Sequence, residues 1–283
     1  MLYFLSEYGD GGDFFNLFRY ITFRAGGAFF TALILSFLFG QPLINALKKW
    51  QKNGQPIRED GPEGHIFAKA GTPTMGGMLI LGTLLVSTLL WARSDNGYVW
   101  TVLLVTMGFA LIGFLDDYLK VSKQMVAGFS SKARLALGFV IALLAAIYVS
   151  TLHTEELTRQ IAVPVFKDAL LNFGIFYFPF VMITIVGAAN AVNLTDGLDG
   201  LAIMPVMICA AALGAIAYVV GRTDFTEYLD VHYVAGTGEL LVFTSAVIGG
   251  GLGFLWFNAP PAAVFMGDTG SLALGGALGA IAV

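Results

Sequence analysis

Apolar residues fill this chain in long blocks separated by short polar stretches. A bilayer core of about 30 Å needs about 20 mostly apolar residues in helical form. Seven segments qualify: 25–47, 75–92, 98–115, 134–152, 173–190, 200–220 and 240–257. An eighth apolar stretch opens near Ser271 and reaches Val283, too short to cross. The pattern predicts an all-α, polytopic transmembrane bundle, one domain over 1–283, with seven complete spans and a partial eighth. No closing polar tail follows, so a chain truncated at its C-terminus is expected. Between spans, 153–172 mixes Val163-Pro164-Val165-Phe166 with charges and suits a small turn or strand pair. Gly249-Gly250-Gly251-Leu252-Gly253 suits close helix packing.

Composition strengthens the membrane reading. Hydrophobic residues make up 57% and charged residues 12%, against about 25% charged in soluble domains; mean hydropathy is +0.78. Nothing points to nucleic acid. Cys209 lies alone in an apolar run, which leaves no disulfide framework or cysteine zinc site. His65, His153 and His232 are far apart and form no HExxH motif. The first twenty residues lack the basic start of a secretory signal peptide.

Seven spans alternate the loops between two sides. One side receives 48–74, 116–133, 191–199 and 258–270, with nine basic residues counting Arg134 at the next helix edge; the other receives six. The positive-inside rule makes the first side cytoplasmic and puts the N-terminus outside. Parity alone gathers Asp116, Asp117, Asp196, Asp199 and Asp268 on one side, near the ends of apolar segments. Carboxylates there are expensive and usually functional.

Each cluster has two readings. In FLDDYLK, Asp116 and Asp117 repel unless a divalent cation or ammonium group joins them; they also read as a solvated helix end. In NAVNLTDGLDG, Asn190, Asn193, Asp196 and Asp199 recur every three residues. Such a polar stripe could bind sugar hydroxyls, a base edge or a metal, whereas capping needs only one residue. In NAPPAAVFMGDTGS, Gly267-Asp268-Thr269-Gly270-Ser271 opens a helix whose free N–H groups favour anions. Asp268 would repel a bare phosphate, so Mg²⁺ between them resolves the conflict. In KAGTPTMGG, Lys69, Thr72 and Thr74 could hold phosphate or simply form a turn.

Taken together, KAGTPTMGG, GFLDDYLK, NAVNLTDGLDGLA and PPAAVFMGDTGSLALGG, in this order, resemble the phospho-N-acetylmuramoyl-pentapeptide-transferases, a branch of the polyprenyl-phosphate sugar-1-phosphate transferases. The resemblance implies transfer of phospho-MurNAc-pentapeptide from UDP-MurNAc-pentapeptide to undecaprenyl phosphate, giving lipid I and UMP for peptidoglycan. It implies Asp268 as Mg²⁺ ligand and Asp116 and Asp117 as an acidic pair near the lipid phosphate. It further implies Asn190, Asn193, Asp196 and Asp199 along the nucleotide-sugar cleft, Phe265 stacked on uracil, and Lys69, Thr74, Lys120, Lys132 and Asn258 as cleft groups. It also implies a homodimer in the bacterial inner membrane with the site facing the cytoplasm. Direct attack by the lipid phosphate needs only these groups.

The family's pattern also includes ten spans and a histidine run in a late cytoplasmic loop, neither present in this sequence. That departure puts activity of this chain in doubt. Alternatives are a GlcNAc-1-phosphate transferase, an inactive truncated fragment, and a cation transporter. The last wants carboxylates near mid-bilayer rather than at one edge.

Overall fold

The structure, a computed structural model, describes residues 1–9, 13–51, 71–123, 128–152, 157–163 and 169–283. Lys69, and the turn or strand residues 164–166, lie outside the described residues. Two 3₁₀ turns, Leu2–Tyr8 and Phe14–Arg19, precede the first long helix. The helices are α1 (Ile21–Trp50), α2 (Gly77–Trp91), α3 (Gly97–Lys123), α4 (Ser131–Leu152), α5 (Tyr177–Thr195), α6 (Ile203–Val220), α7 (Thr223–Leu229), α8 (Leu240–Asn258) and α9 (Gly267–Ala282). Between α4 and α5, β1 (Gln160–Ala162) pairs antiparallel with β2 (Leu170–Asn172), Gln160 facing Asn172.

The apolar blocks become helices because, without water, each backbone N–H and C=O must be satisfied within its own segment. Six of them, α1, α3, α4, α5 with its preceding turn, α6 and α8 with its preceding turn, are long and apolar enough to cross a membrane. The stretch expected over 75–92 is a helix of 15 residues, rising about 22 Å. It starts late because the preceding residues pair with another segment: Phe265 N–H donates to the Pro73 carbonyl at 2.9 Å, and Gly76 N–H donates to the Phe265 carbonyl at 2.8 Å. Other boundaries move in ways that matter for chemistry. α3 continues through Asp116, Asp117 and Lys120 to Lys123. α9 opens at Gly267, in the GDTGS segment expected to open it and ahead of the apolar stretch that begins near Ser271.

α8 packs against α1, α2 and α6, while α9 lies against α3 and α5. The glycine run works as expected. A Cβ on Gly249 would collide with the Phe29 backbone, and one on Gly253 with the Ser36 side chain. The α1–α8 crossing is therefore close enough to exclude side chains larger than hydrogen. Phe243 and Phe254 of α8 and Ile80 of α2 are wholly buried. Leu104, Leu111, Leu144, Ile183, Ile208 and Trp256 point outward and are exposed, as an apolar solvent demands.

The packing sorts helix ends into two groups. α3, α5 and α8 finish where α2 and α9 begin. At the opposite end, Arg24 of α1 meets Glu239, just before α8, through two charge-assisted bonds of 2.6 and 2.5 Å. The Arg93 N–H also donates to Glu239, and Arg24 donates to the Trp91 carbonyl.

Candidate active site

The site forms where the last two turns of α3 meet the first turn of α9. Asp116, Asp117 and Asp268 each offer an oxygen, and these atoms lie within 4.8 Å of one another. Asp116 and Asp117 are buried, with relative exposures of 2% and 1%. Adjacent residues on a helix point about 100° apart, so the two carboxylates have different surroundings.

Asp117 faces the start of α9. Its Oδ1 accepts the Asp268 N–H at 3.2 Å; its Oδ2 accepts the Thr269 N–H at 2.9 Å and the Thr269 hydroxyl at 2.7 Å. A carboxylate from another helix thus fills the role of an N-cap and meets the positive end of the α9 dipole. Gly267 makes this approach feasible. It has φ +76°, a conformation that suits glycine, and a Cβ there would lie 2.6 Å from Asp117 Oδ2 and 2.7 Å from Thr74 Oγ1.

Asp116 faces the opposite way. Its Oδ1 accepts the Phe129 N–H at 2.6 Å, and its Oδ2 meets the Lys120 ammonium at 2.5 Å. The same ammonium lies 2.6 Å from Asp268 Oδ2. Asp268 Oδ1 accepts from the Asn193 side chain at 2.6 Å, and that amide also reaches Ser271 Oγ at 2.9 Å. Arg134 Nη1 stands 3.6 Å from Asp268 Oδ2. Among the described residues, three carboxylates face two cations, Lys120 and Arg134, formally leaving one negative charge.

The donor set fits a hard divalent cation. Mg²⁺ takes oxygen ligands and is usually held by one or two carboxylates with water completing the shell. Asp116 and Asp268 each turn one oxygen toward a common point, and Asp117 lies alongside. Thr74 Oγ1, beside Asp117, is buried without a hydrogen-bond partner among the described residues, so an acceptor or donor remains to be matched there.

The other expected residues divide into those that touch this centre and those that shape its rim. Asn193 touches it. Thr74 borders it, its backbone clamped by Gln51 through bonds of 2.9 and 3.1 Å. Met75 follows at φ +71° with its side chain wholly buried, a backbone strain that close packing maintains. Asn258 is buried and joins two loops: it accepts the Gly200 N–H and donates to the Val264 carbonyl, both at 2.9 Å. Asp199 accepts the Ala262 N–H at 3.4 Å in the same seam. Phe265 is half-buried, and its backbone carries the pairing to Pro73 and Gly76. Asn190 bonds back to the Val186 carbonyl within α5. Asp196 ends α5, and Lys132 is exposed on the first turn of α4. The regular spacing of Asn190, Asn193, Asp196 and Asp199 therefore does not become one continuous stripe, since α5 ends at Thr195.

Three contributors carried no motif signal, and Ser271 stood in its motif without a role of its own. Gln51 bonds the Thr74 backbone, Ser271 accepts from the Asn193 side chain, the Phe129 N–H is a backbone group, and Arg134 was visible only as a loop charge.

Residues 99–283 match the family described as glycosyl transferase family 4, and residues 69–81 match phospho-N-acetylmuramoyl-pentapeptide-transferase signature 1. Relatives named phospho-N-acetylmuramoyl-pentapeptide-transferase include one from Ruegeria sp. (strain TM1040), 73% identical over the whole chain and 78% of its own length. Others come from Ruegeria pomeroyi, 71% identical with the same coverage, and Maricaulis maris, 58% identical over the whole chain and 79% of its own length. With relatives this similar along all its residues, the chain belongs to the phospho-N-acetylmuramoyl-pentapeptide-transferase family.

Proposed function

We propose that the chain catalyses transfer of phospho-MurNAc-pentapeptide from UDP-MurNAc-pentapeptide to undecaprenyl phosphate, releasing UMP and leaving lipid I. The observation that carries this reading is the meeting of Asp116, Asp117, Asp268, Lys120 and Asn193 at one end of an apolar bundle. One substrate is soluble and anionic; the other is a lipid whose phosphate stays at the interface. A charged centre at the membrane edge serves both.

In the proposed reaction an oxygen of the lipid phosphate attacks the sugar-bearing phosphorus. The bond from that phosphorus to the bridging oxygen breaks, and UMP leaves with its electron pair. Asp116 and Asp268 would hold Mg²⁺, which would offset phosphate charge and stabilise the leaving group. Asp116 borders the lipid phosphate. Asp117 holds the start of α9 and so fixes Asp268. Lys69, Lys120 and Lys132 supply positive charge for the diphosphate, Thr74 a hydroxyl, and Phe265 a face for uracil. Asn190, Asn193, Asp196, Asp199 and Asn258 line or shape the nucleotide-sugar cleft. The site faces the cytoplasm of a bacterial inner membrane, the N-terminus lies outside, and the working unit is a homodimer, as the family resemblance implies.

The test supplies purified protein in lipid nanodiscs with undecaprenyl phosphate, Mg²⁺ and either UDP-MurNAc-pentapeptide or UDP-GlcNAc, and measures UMP. Release from the muramoyl substrate alone is expected. Release only from UDP-GlcNAc overturns the substrate assignment. Asp268-dependent cation flux into vesicles without UMP overturns the transferase reading.

A further inference from the structure

Lys120 stands where a cation belongs. Asp116 and Asp268 come from different helices, yet they are arranged alike. Each is anchored through Oδ1 by an uncharged N–H donor, the Phe129 backbone for Asp116 and the Asn193 amide for Asp268. Each therefore presents Oδ2 in a fixed direction, and both Oδ2 atoms meet the same Lys120 Nζ, at 2.5 and 2.6 Å. The carboxylates are held by groups other than the lysine, so their convergence does not depend on it. The lysine is held differently: Nζ ends a four-carbon stem and its side chain remains 18% exposed. A compact ammonium on a flexible stem is easily moved, whereas two anchored carboxylates are not.

We propose that Lys120 is an exchangeable occupant of the divalent-cation seat. Its ammonium neutralises Asp116 and Asp268 while the metal is absent and swings out when the metal enters between the same two oxygens. This rests on the reading of those carboxylates as metal ligands. A Mg²⁺ ion sits about 2.0–2.1 Å from its oxygens, too close to share the point with an ammonium. The two cations would also repel. The exchange makes metal entry compete with an internal cation. Arg134, 3.6 Å from Asp268, lies beside the seat rather than in it and would remain in place.

The test measures Mn²⁺ binding by electron paramagnetic resonance on nanodisc-embedded protein, for the unaltered chain, Lys120→Met, Arg134→Met and Asp268→Asn. Removing an ammonium that metal must displace should tighten Mn²⁺ about tenfold in Lys120→Met, equivalent to about 1.4 kcal/mol. Arg134→Met should change it less, and Asp268→Asn should abolish the site. Equal or weaker Mn²⁺ binding by Lys120→Met, with Asp268 dependence intact, overturns the exchange and spares the metal site. Loss of any Asp268-dependent binding in the unaltered chain overturns both. A second measurement needs no variant: acylation of Lys120 by a small amine reagent, read by peptide mass, with and without saturating Mn²⁺. The exchange requires labelling to rise several-fold with metal. Unchanged labelling while Mn²⁺ is bound overturns the proposal even if Lys120→Met fails to fold.

Discussion

Both ends of this bundle bury charge, and they do so in opposite ways. At one end Arg24 and Glu239 form a bidentate pair with side-chain exposures of 1% and 6%. Nearby backbone groups add to it: Trp91 offers a carbonyl and Arg93 an N–H. Plus one meets minus one, and the pair ties α1, α2 and the start of α8. At the other end, among the described residues, three carboxylates face two cations, one of them at the end of a four-carbon stem. A buried pair of matched charges ties its helices together, because removing either partner leaves the other charge uncompensated. A buried cluster left with net charge is poised to bind something. Charge balance, more than burial, separates the structural end from the chemical one.

The comparison breaks if substitutions at the two ends act alike. The largest effect is expected for Asp268→Ala, which removes a proposed metal ligand without opening the core. UMP release should fall about 10⁴-fold, about 5 kcal/mol of transition-state stabilisation, while thermal unfolding stays near that of the unaltered protein. Retained activity would remove Asp268 from the site. Glu239→Gln tests the other end. Leaving Arg24 buried without its counter-charge should cost roughly 3–5 kcal/mol of stability, read as a large drop in melting temperature. Activity per folded molecule should hold. If it collapses while folding survives, the two ends are coupled and the contrast fails.

A smaller effect sharpens the boundary within the chemical end. Gly267→Ala puts a methyl group against Asp117 and Thr74 at a residue with φ +76°. The strain should be on the order of 1–3 kcal/mol. Because Asp117 holds the Asp268 and Thr269 N–H groups, the loss should fall on metal affinity and turnover together. A variant that unfolds early but binds Mn²⁺ normally would show that the cap does not set Asp268.

How much of this was legible in the sequence depends on which force decides each feature. Hydrophobic blocks mark spans because the bilayer rejects polar backbone, and the helices fall where the blocks do. The glycine run likewise announced a close crossing. The end of the third span failed for a physical reason. Polar residues look like helix ends in a hydrophobic pattern, yet Asp116, Asp117 and Lys120 continue α3 because α9 and the 128–129 segment supply their partners. The three-residue spacing of Asn190, Asn193, Asp196 and Asp199 suggested one surface. Steps of three turn a helix by about 300° rather than a full circle, and α5 stops at Thr195. Only Asn193 then reaches Asp268. Gln51 and the Phe129 N–H were invisible because nothing local in sequence says which loop will meet which carboxylate. Lys69 lies outside the described residues.

The smallest expected effect belongs to the structural end, on its rim. Arg93 donates to Asp95 through bonds of 3.0 and 2.6 Å, and this bond holds the Asp95 carboxyl below its ordinary range. Both side chains are well exposed, 39% and 51%, so water screens the pair and its worth is about 0.2–1 kcal/mol. A depressed carboxyl stabilises the fold at pH above the unfolded carboxylate value of about 3.9. That stabilisation is lost as pH falls through the lower folded value. Asp95→Asn should thus lower the melting temperature slightly at pH 7, and the gap from the unaltered protein should close on acidification below about pH 4. High salt should narrow it too. A gap that instead widens on acidification would mean that Asp95 acts through something other than its charge. The rim would then no longer match the balanced pair at Arg24 and Glu239.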